Sequence, residues 1–267
     1  MIIIGELING SRKAIAKAIA DRDEACIRDL ASSQAEAGAS FIDCNPGTVG
    51  EDEIRDIQWL IETVQAVTDV PISFDTPNCG ALQAAFYVYE NAATPMINSI
   101  TAEQERLDEM LEFVAQSGAN IVALALSDAG MPASADDRIA TSLGLIDTLT
   151  GAGIAPDKVF VDPVVAPLGT DATCGGGVLE AVRAISQQRP EVHITCGLSN
   201  ISYGLPERKL LNRVFVAQGI AAGMDSAIMD PLDGQMMATI WAAEALAGRD
   251  EWCMNYIQAS RAGRLTQ

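Results

Sequence analysis

Eight short apolar runs, each followed by a stretch with helical spacing, recur along the 267-residue chain at intervals of about thirty residues. The runs, read as strands, cover residues 2 to 5, 40 to 44, 71 to 75, 95 to 98, 120 to 126, 158 to 162, 193 to 197 and 226 to 229. Near-continuous hydrophobic runs belong to parallel strands covered on both faces. Between them, residues such as Leu107, Met110, Leu111 and Val114 recur at i, i+3, i+4 and i+7, one face of a helix. Helices are predicted at about 24 to 38, 51 to 68, 79 to 91, 103 to 117, 136 to 151, 176 to 188, 207 to 222 and 234 to 247. Eight strand and helix pairs are what a closed (β/α)8 barrel, the TIM barrel, requires. An open doubly wound sheet would more often carry a glycine-rich dinucleotide loop, and no GxGxxG follows the first run. No Pro/Gly/Ser-rich or highly charged linker interrupts the pattern, so residues 1–267 read as a single domain.

Composition narrows the partners. A formal charge of −19 without any Lys/Arg cluster sets the chain against nucleic acid and anionic membrane surfaces. No run approaches membrane-spanning length, and the chain starts on a strand-like MIIIGE without a basic leader. The six cysteines lack metal spacing and His193 is the one histidine, so no metal site is expected. A reduced, cytoplasmic protein fits this usage. Cys44 and Cys79 read as small packed hydrophobes.

Nearly every run ends on a carboxylate or an amide: Glu6, Asp43 and Asn45, Asp75, Asn98, Asp128, Asp162, Asn200 and Asp230. In a barrel these ends share the C-terminal mouth, where ligands bind. Asp75, Asn98 and Asp162 offer two carboxylate acceptors and one amide that both donates and accepts, a set suited to a flat heterocycle with several N–H groups and a carbonyl. Any one of them alone reads equally well as a helix N-cap, Asp75 before TPN above all. Asn200, in GLSNISYG, overhangs the mouth, where an amide can polarise a ligand nitrogen or simply stabilise a turn. The connections at 127 to 135 and 163 to 175 are longer than economy demands and read as rim or lid; the glycines after Cys174 read as a flexible turn.

The segments IIIGELING, FIDCNPG, ISFDTPN, MINSI, VFVDPVV, GLSNISYG, LLNRVF and AAGMDSAIMDP, in that order and spacing, resemble the methyltetrahydrofolate:corrinoid methyltransferase family from first strand to last. The resemblance implies a pterin-binding (β/α)8 barrel, usually a homodimer. Such a barrel moves a methyl group between N5 of tetrahydrofolate and the cobalt of a corrinoid held by another protein. By motif it implies that Asp75, Asn98 and Asp162 hydrogen-bond the pterin and that Asn200 approaches N5, with Gly197 and Ser199 shaping its loop. Glu6, Asn9, Asp43 and Asn45 match the first two strand ends and support the site or fix neighbouring loops. Arg208 matches an arginine that contacts the folate or is merely solvated. Tyr203 departs from the polar residue the family places in that loop.

The chemistry agrees with what the sequence holds. A tertiary amine leaves poorly, so N5 must gain positive character before cobalt takes its methyl, and the reverse direction needs neutral N5. Neither asks for a protein nucleophile or metal. The stretch EVHITCG around His193 departs from the corrinoid-ligating DxHxxG at Glu191 and Cys196, so His193 reads as an ordinary residue opening the seventh strand and the corrinoid is expected on a partner. Two alternatives stand beside this reading. One is a dihydropteroate synthase-like enzyme, which would carry basic residues where this chain has GLSNISYG and AIMDP; the other is a catalytically silent folate-binding or corrinoid-docking subunit. Direction and original methyl donor stay open.

Overall fold

The computed structural model describes residues 1–265. Its strands are β1 Ile2–Asn9, β2 Phe41–Asn45, β3 Ile72–Asp75, β4 Met96–Thr101, β5 Asn120–Leu124, β6 Val159–Asp162, β7 His193–Ile194 and β8 Ser226–Met229. All pair in parallel in the order β7-β6-β5-β4-β3-β2-β1-β8. A parallel bridge between Gly197 and Ile228, with Ile228 N–H donating to the Cys196 carbonyl at 3.0 Å, joins the two ends and closes the barrel. The helices are α1 Lys13–Ala20, α2 Glu24–Glu36, α3 Glu51–Gln65, α4 Cys79–Val88, α5 Gln104–Ser117, α6 Ala135–Gly151, α7 Cys174–Gln188, α8 Arg208–Ala222, α9 Gly234–Leu246 and α10 Met254–Arg261.

The two-residue period of a strand sorts the core into two layers. Outward residues such as Ile42, Cys44, Ile72, Phe74, Ile97, Ile121, Val161 and Ile194 pack under the helices in the main core. Inward residues Ile4, Phe41, Met96, Val122 and Phe160 form a separate cluster that plugs the lumen. Phe41 and Phe160 meet edge to face at 6.2 Å, and Phe160 stacks on His193 at 4.5 Å. Two residues further along the same strands, the inward positions become Asp43, Asn98 and Asp162. The lumen is thus apolar at its floor and acidic at its mouth.

Several elements differ from the sequence reading. The apolar period alone did not reveal α1 or α10, two eight-residue helices added to the eightfold pattern. β1 and β4 run on to Asn9 and Thr101, each through a one-residue irregularity. In β1 the extra residue follows Gly5, and the free Leu7 N–H donates to Gln34 Oε1 of α2 at 3.1 Å. A side chain at position 5 would come within 2.5 Å of that same oxygen, so glycine is what admits Gln34. β7 is shorter than predicted, and residues 198 to 202 wind into a 3-10 turn. α7 begins at Cys174, so the glycines at 175 to 177 form its first turn instead of a flexible link. Packing of buried Cys174 and Val178 overrides the weak helix propensity of glycine there.

Candidate functional site

The acidic mouth is assembled from β2, β3, β4 and β6 with the loops after β1 and β7. Asn45 donates through Nδ2 to Asp75 Oδ2 at 2.8 Å, and Asn98 donates through Nδ2 to Asp43 Oδ1 at 3.2 Å. The two carboxylates of this quartet are thereby held by amides whose own oxygens remain open or bind a neighbouring loop, Asn45 Oδ1 taking the Gly47 N–H at 2.7 Å. Burial pushes Asp43 well above the usual carboxylate range, and the Asp75 charge beside it adds to the effect. Asp75 is raised as well, by burial, with the Asn45 amide working against it. Two carboxyls this close retain a proton more readily than either would alone.

Asp162, at the end of β6, accepts the Val164 N–H on Oδ1 at 2.8 Å and the Gly197 N–H on Oδ2 at 3.2 Å. Burial raises its pKa to about 6, and these two backbone donors hold it from going higher. Each oxygen keeps a lone pair for a ligand. The carboxylate also ties the loop after β6 to the loop after β7.

Asn200 lies in the 3-10 turn Leu198–Ser202, exposed, with its Nδ2 only 2.9 Å from where a Cβ on Gly197 would sit. A side chain at 197 would therefore displace the amide. Arg208, at the start of α8, is bound rather than merely solvated: its guanidinium donates to the Ser199 carbonyl at 2.8 Å and to Ser202 Oγ at 3.1 Å. It also lies 5.8 Å from the centre of the Tyr203 ring, so the aromatic at the departing position stacks against the arginine.

Glu6 faces the lumen from the bulged part of β1. Burial raises its pKa to about 7, with Arg12 lowering it and Asp230 raising it. The Arg12 guanidinium approaches its Oε1 at 3.5 Å. A cleft of about 320 Å³ opens beside it, lined by Ser199, Arg208, Lys209, Asn212 and Asp230. A larger cavity of about 510 Å³ sits among Met1, Gly38, Trp241 and Asn255, at the N-terminal ends of the strands and away from every carboxylate of the mouth. Polar convergence, not volume, marks the site.

Of the residues singled out in the sequence, Glu6, Asp43, Asn45, Asp75, Asn98 and Asp162 converge on the lumen, and Gly197, Ser199, Asn200 and Arg208 form its β7 edge. Asn9 is turned to local work, its Oδ1 accepting the Ser11 N–H at 2.9 Å. The loops after β1 and β2 touch backbone to backbone, for a Cβ on Gly10 would meet the Pro46 carbonyl oxygen at 2.1 Å. The cap of α4 is Asn78, which accepts from Gly80 and Ala81, so Asp75 is free of capping. Asp128 instead supports the Gln104 N–H at the start of α5, at 3.3 Å. Arg12 went unnoticed because no apolar period frames it; its place directly after β1 was the one available signal.

A family model described as pterin binding enzyme matches residues 6–230. The methylcorrinoid:tetrahydrofolate methyltransferase of Eubacterium limosum is 36% identical over 267 residues, covering 99% of this chain and 98% of that protein. Methionine synthase of Mycobacterium tuberculosis (strain ATCC 25618 / H37Rv) is 30% identical over 243 residues, 86% of this chain but 20% of that much longer protein. Among solved structures, 7,8-dihydropteroate synthase from Vibrio fischeri ES114 superposes with a TM-score of 0.68 at 19% identity, covering 93% of each chain; this likeness is one of fold.

Proposed function

The chain belongs to the pterin-binding enzyme family, and from that premise we propose that its acidic mouth is the folate site of a corrinoid-dependent tetrahydrofolate methyltransferase. The observation that carries the reading is the convergence of Asp43, Asn45, Asp75, Asn98 and Asp162 above the apolar plug. A pterin presents N–H donors on adjacent nitrogens and a carbonyl in one plane. Asp75 and Asp162 accept from the donors and Asn98 serves the ring's mixed edge, contacts that fix the ring's orientation. Gly197 and Ser199 shape the loop that carries Asn200 to N5, and Arg208 braces that loop from behind. Glu6, Asp43 and Asn45 support the carboxylates that touch the ring.

The full-length likeness to a methylcorrinoid:tetrahydrofolate methyltransferase supports transfer toward tetrahydrofolate. In that direction the N5 lone pair forms the new N–CH3 bond, the electron pair of the broken Co–C bond stays on cobalt, and the N5 proton leaves to water at the open barrel mouth. Asn200 accepts from N5–H as charge develops there and needs no change of its own protonation state. The methylated corrinoid is a substrate delivered by a separate protein, and residues 1–267 act as one barrel domain. A homodimer working in the cytoplasm completes the proposal; among the described residues no helix is long and apolar enough to cross a membrane. The dihydropteroate synthase reading is less well supported, since those enzymes share the fold at under 20% identity.

Calorimetry with tetrahydrofolate on folded Asp75→Ala and Asp162→Ala tests the site. Removing one partner of a buried charged hydrogen bond is expected to weaken binding by roughly 2 to 5 kcal/mol. Unchanged affinity in both variants would remove the pterin assignment.

A further inference from the structure

Arg138, on α6, is 1% exposed and forms none of the protein's ion pairs among the described residues. A buried guanidinium without a carboxylate is costly unless every N–H finds an acceptor. Here the acceptors belong to the loop after β6 and to the helix ends beside it. Nε donates to the Val164 carbonyl at 3.3 Å, one terminal nitrogen to the Ser134 carbonyl at 3.1 Å, and the other to Cys174 Sγ at 3.4 Å. The same sulfur accepts the Ala166 N–H at 3.1 Å. The arginine and the thiol together grip the loop at 164 and 166.

What they grip is strained. Val164 has φ +64°, the one β-branched residue among the described non-glycine residues in the left-handed region. A valine stays there only if its surroundings over-determine the conformation. The turned peptide has a use: with its carbonyl held by Arg138, Val164 aims its N–H at Asp162 Oδ1 at 2.8 Å. Further along, Leu168 N–H donates to the Ile201 carbonyl at 3.0 Å, beside Asn200.

We propose that Arg138, seated on Cys174, is a positioning residue for methyl transfer, holding Val164 in its left-handed turn so that Asp162 presents its free lone pairs to the pterin. This rests on the folate reading of the mouth. Burial raises the Asp162 pKa, and the Val164 N–H is the stronger of the two backbone donors that offset it. Loosening Val164 therefore moves the Asp162 titration upward from about 6. It also lets the carboxylate rotate out of register with a ring that tolerates little misplacement.

The test compares Arg138→Met, which removes charge and donors, with Arg138→Lys, which keeps the buried cation and loses the Nε contact to Val164. Tetrahydrofolate affinity is measured by calorimetry between pH 5 and 8, and the Asp162 carboxyl is titrated by carbon NMR in ligand-free protein. Arg138→Met should bind folate roughly ten- to a hundredfold more weakly, Arg138→Lys several-fold more weakly, and both should show the Asp162 titration shifted up. Should Arg138→Met not fold, Arg138→Lys decides alone. Wild-type affinity and an unmoved Asp162 titration in Arg138→Lys would overturn the proposal, as would weaker binding with the titration unmoved, since a merely structural loss leaves the carboxyl where it was. If wild-type protein fails to bind tetrahydrofolate, the folate reading falls, while the titration still reports on the Arg138 contact.

Discussion

The two halves of the barrel lumen are built from the same strands, two residues apart, and obey opposite rules. At the floor, Phe41, Met96, Val122 and Phe160 exclude water and contribute stability without chemistry. At the mouth, Asp43, Asn98 and Asp162 take the next inward positions and oppose it, since each buried carboxyl is held above its ordinary range. The lesson is one of division of labour: a strand pays for a destabilising site at its C-terminal end with tight packing one pleat below. Families built on such barrels can change the mouth while the floor stays a core.

The sharpest way to break this contrast is Phe160→Ala. The ring is 2% exposed and packs against both Phe41 and His193. Its loss should cost about 3 to 5 kcal/mol of stability, read by denaturant unfolding, with folate affinity changing far less. Equal losses of stability and affinity would show that floor and mouth are not separable.

Glu6→Gln probes the other half and carries the opposite sign. A carboxyl raised in the folded state from 4.5 to about 7 stabilises fully below its unfolded value, and that contribution is lost as pH rises through about 7. Asp162, raised from 3.8 to about 6, behaves alike over a lower window. Through these two groups ligand-free protein should lose thermal stability between about pH 4 and pH 7, with the raised Asp43 and Asp75 adding in the same direction. The depressed carboxyls Asp171 and Asp233 act in the reverse direction; Asp171 is screened by solvent, and Asp233 pairs with the largely exposed Lys209, so both effects are small. Glu6→Gln should flatten the upper part of the slope and raise stability at pH 7 by roughly 2 to 3 kcal/mol. A variant less stable than wild type at pH 7 would mean that Arg12 compensates the buried charge.

The smallest effect belongs to His193. Its Nδ1 lies 2.7 Å from Asp225, and that hydrogen bond raises its pKa above 6.5. The stability it contributes is present below that value and is lost as pH rises through the raised one, a later window than that of the mouth. His193→Gln should cost about 0.5 to 1 kcal/mol more at pH 5.5 than at pH 9, where only the ring's packing on Phe160 and its neutral hydrogen bond remain to be lost. Differential scanning calorimetry across both windows would separate floor from mouth in a single data set.

Much of this was readable in the sequence, for a physical reason. Strands buried on both faces cannot avoid continuous apolar runs, and a carboxylate after such a run must face something. Asp75, Asn98 and Asp162 were legible on that ground, and the family motifs sharpened it. The bulges in β1 and β4 were not; the one in β1 is met from outside the strand, where Gln34 reaches across from α2 to take the Leu7 N–H. Nor was the first turn of α7, where buried Cys174 imposes helix on three glycines. Val164 gave no warning, since nothing in PVVAPLG marks a valine that will turn left-handed. Departures from local preference are decided by tertiary partners, and here they gather around the mouth.

The apolar plug makes the lumen a blind alley, and this governs traffic. With the mouth as the proposed folate site, folate and the cobalt carrier share one doorway. A carrier docked there would stand where the folate must pass and would have to withdraw before product and fresh substrate exchange. On that reading each catalytic cycle contains a departure as well as a docking. A carrier that grips the rim too tightly would slow the enzyme it serves, so a fleeting handshake is the association this architecture rewards.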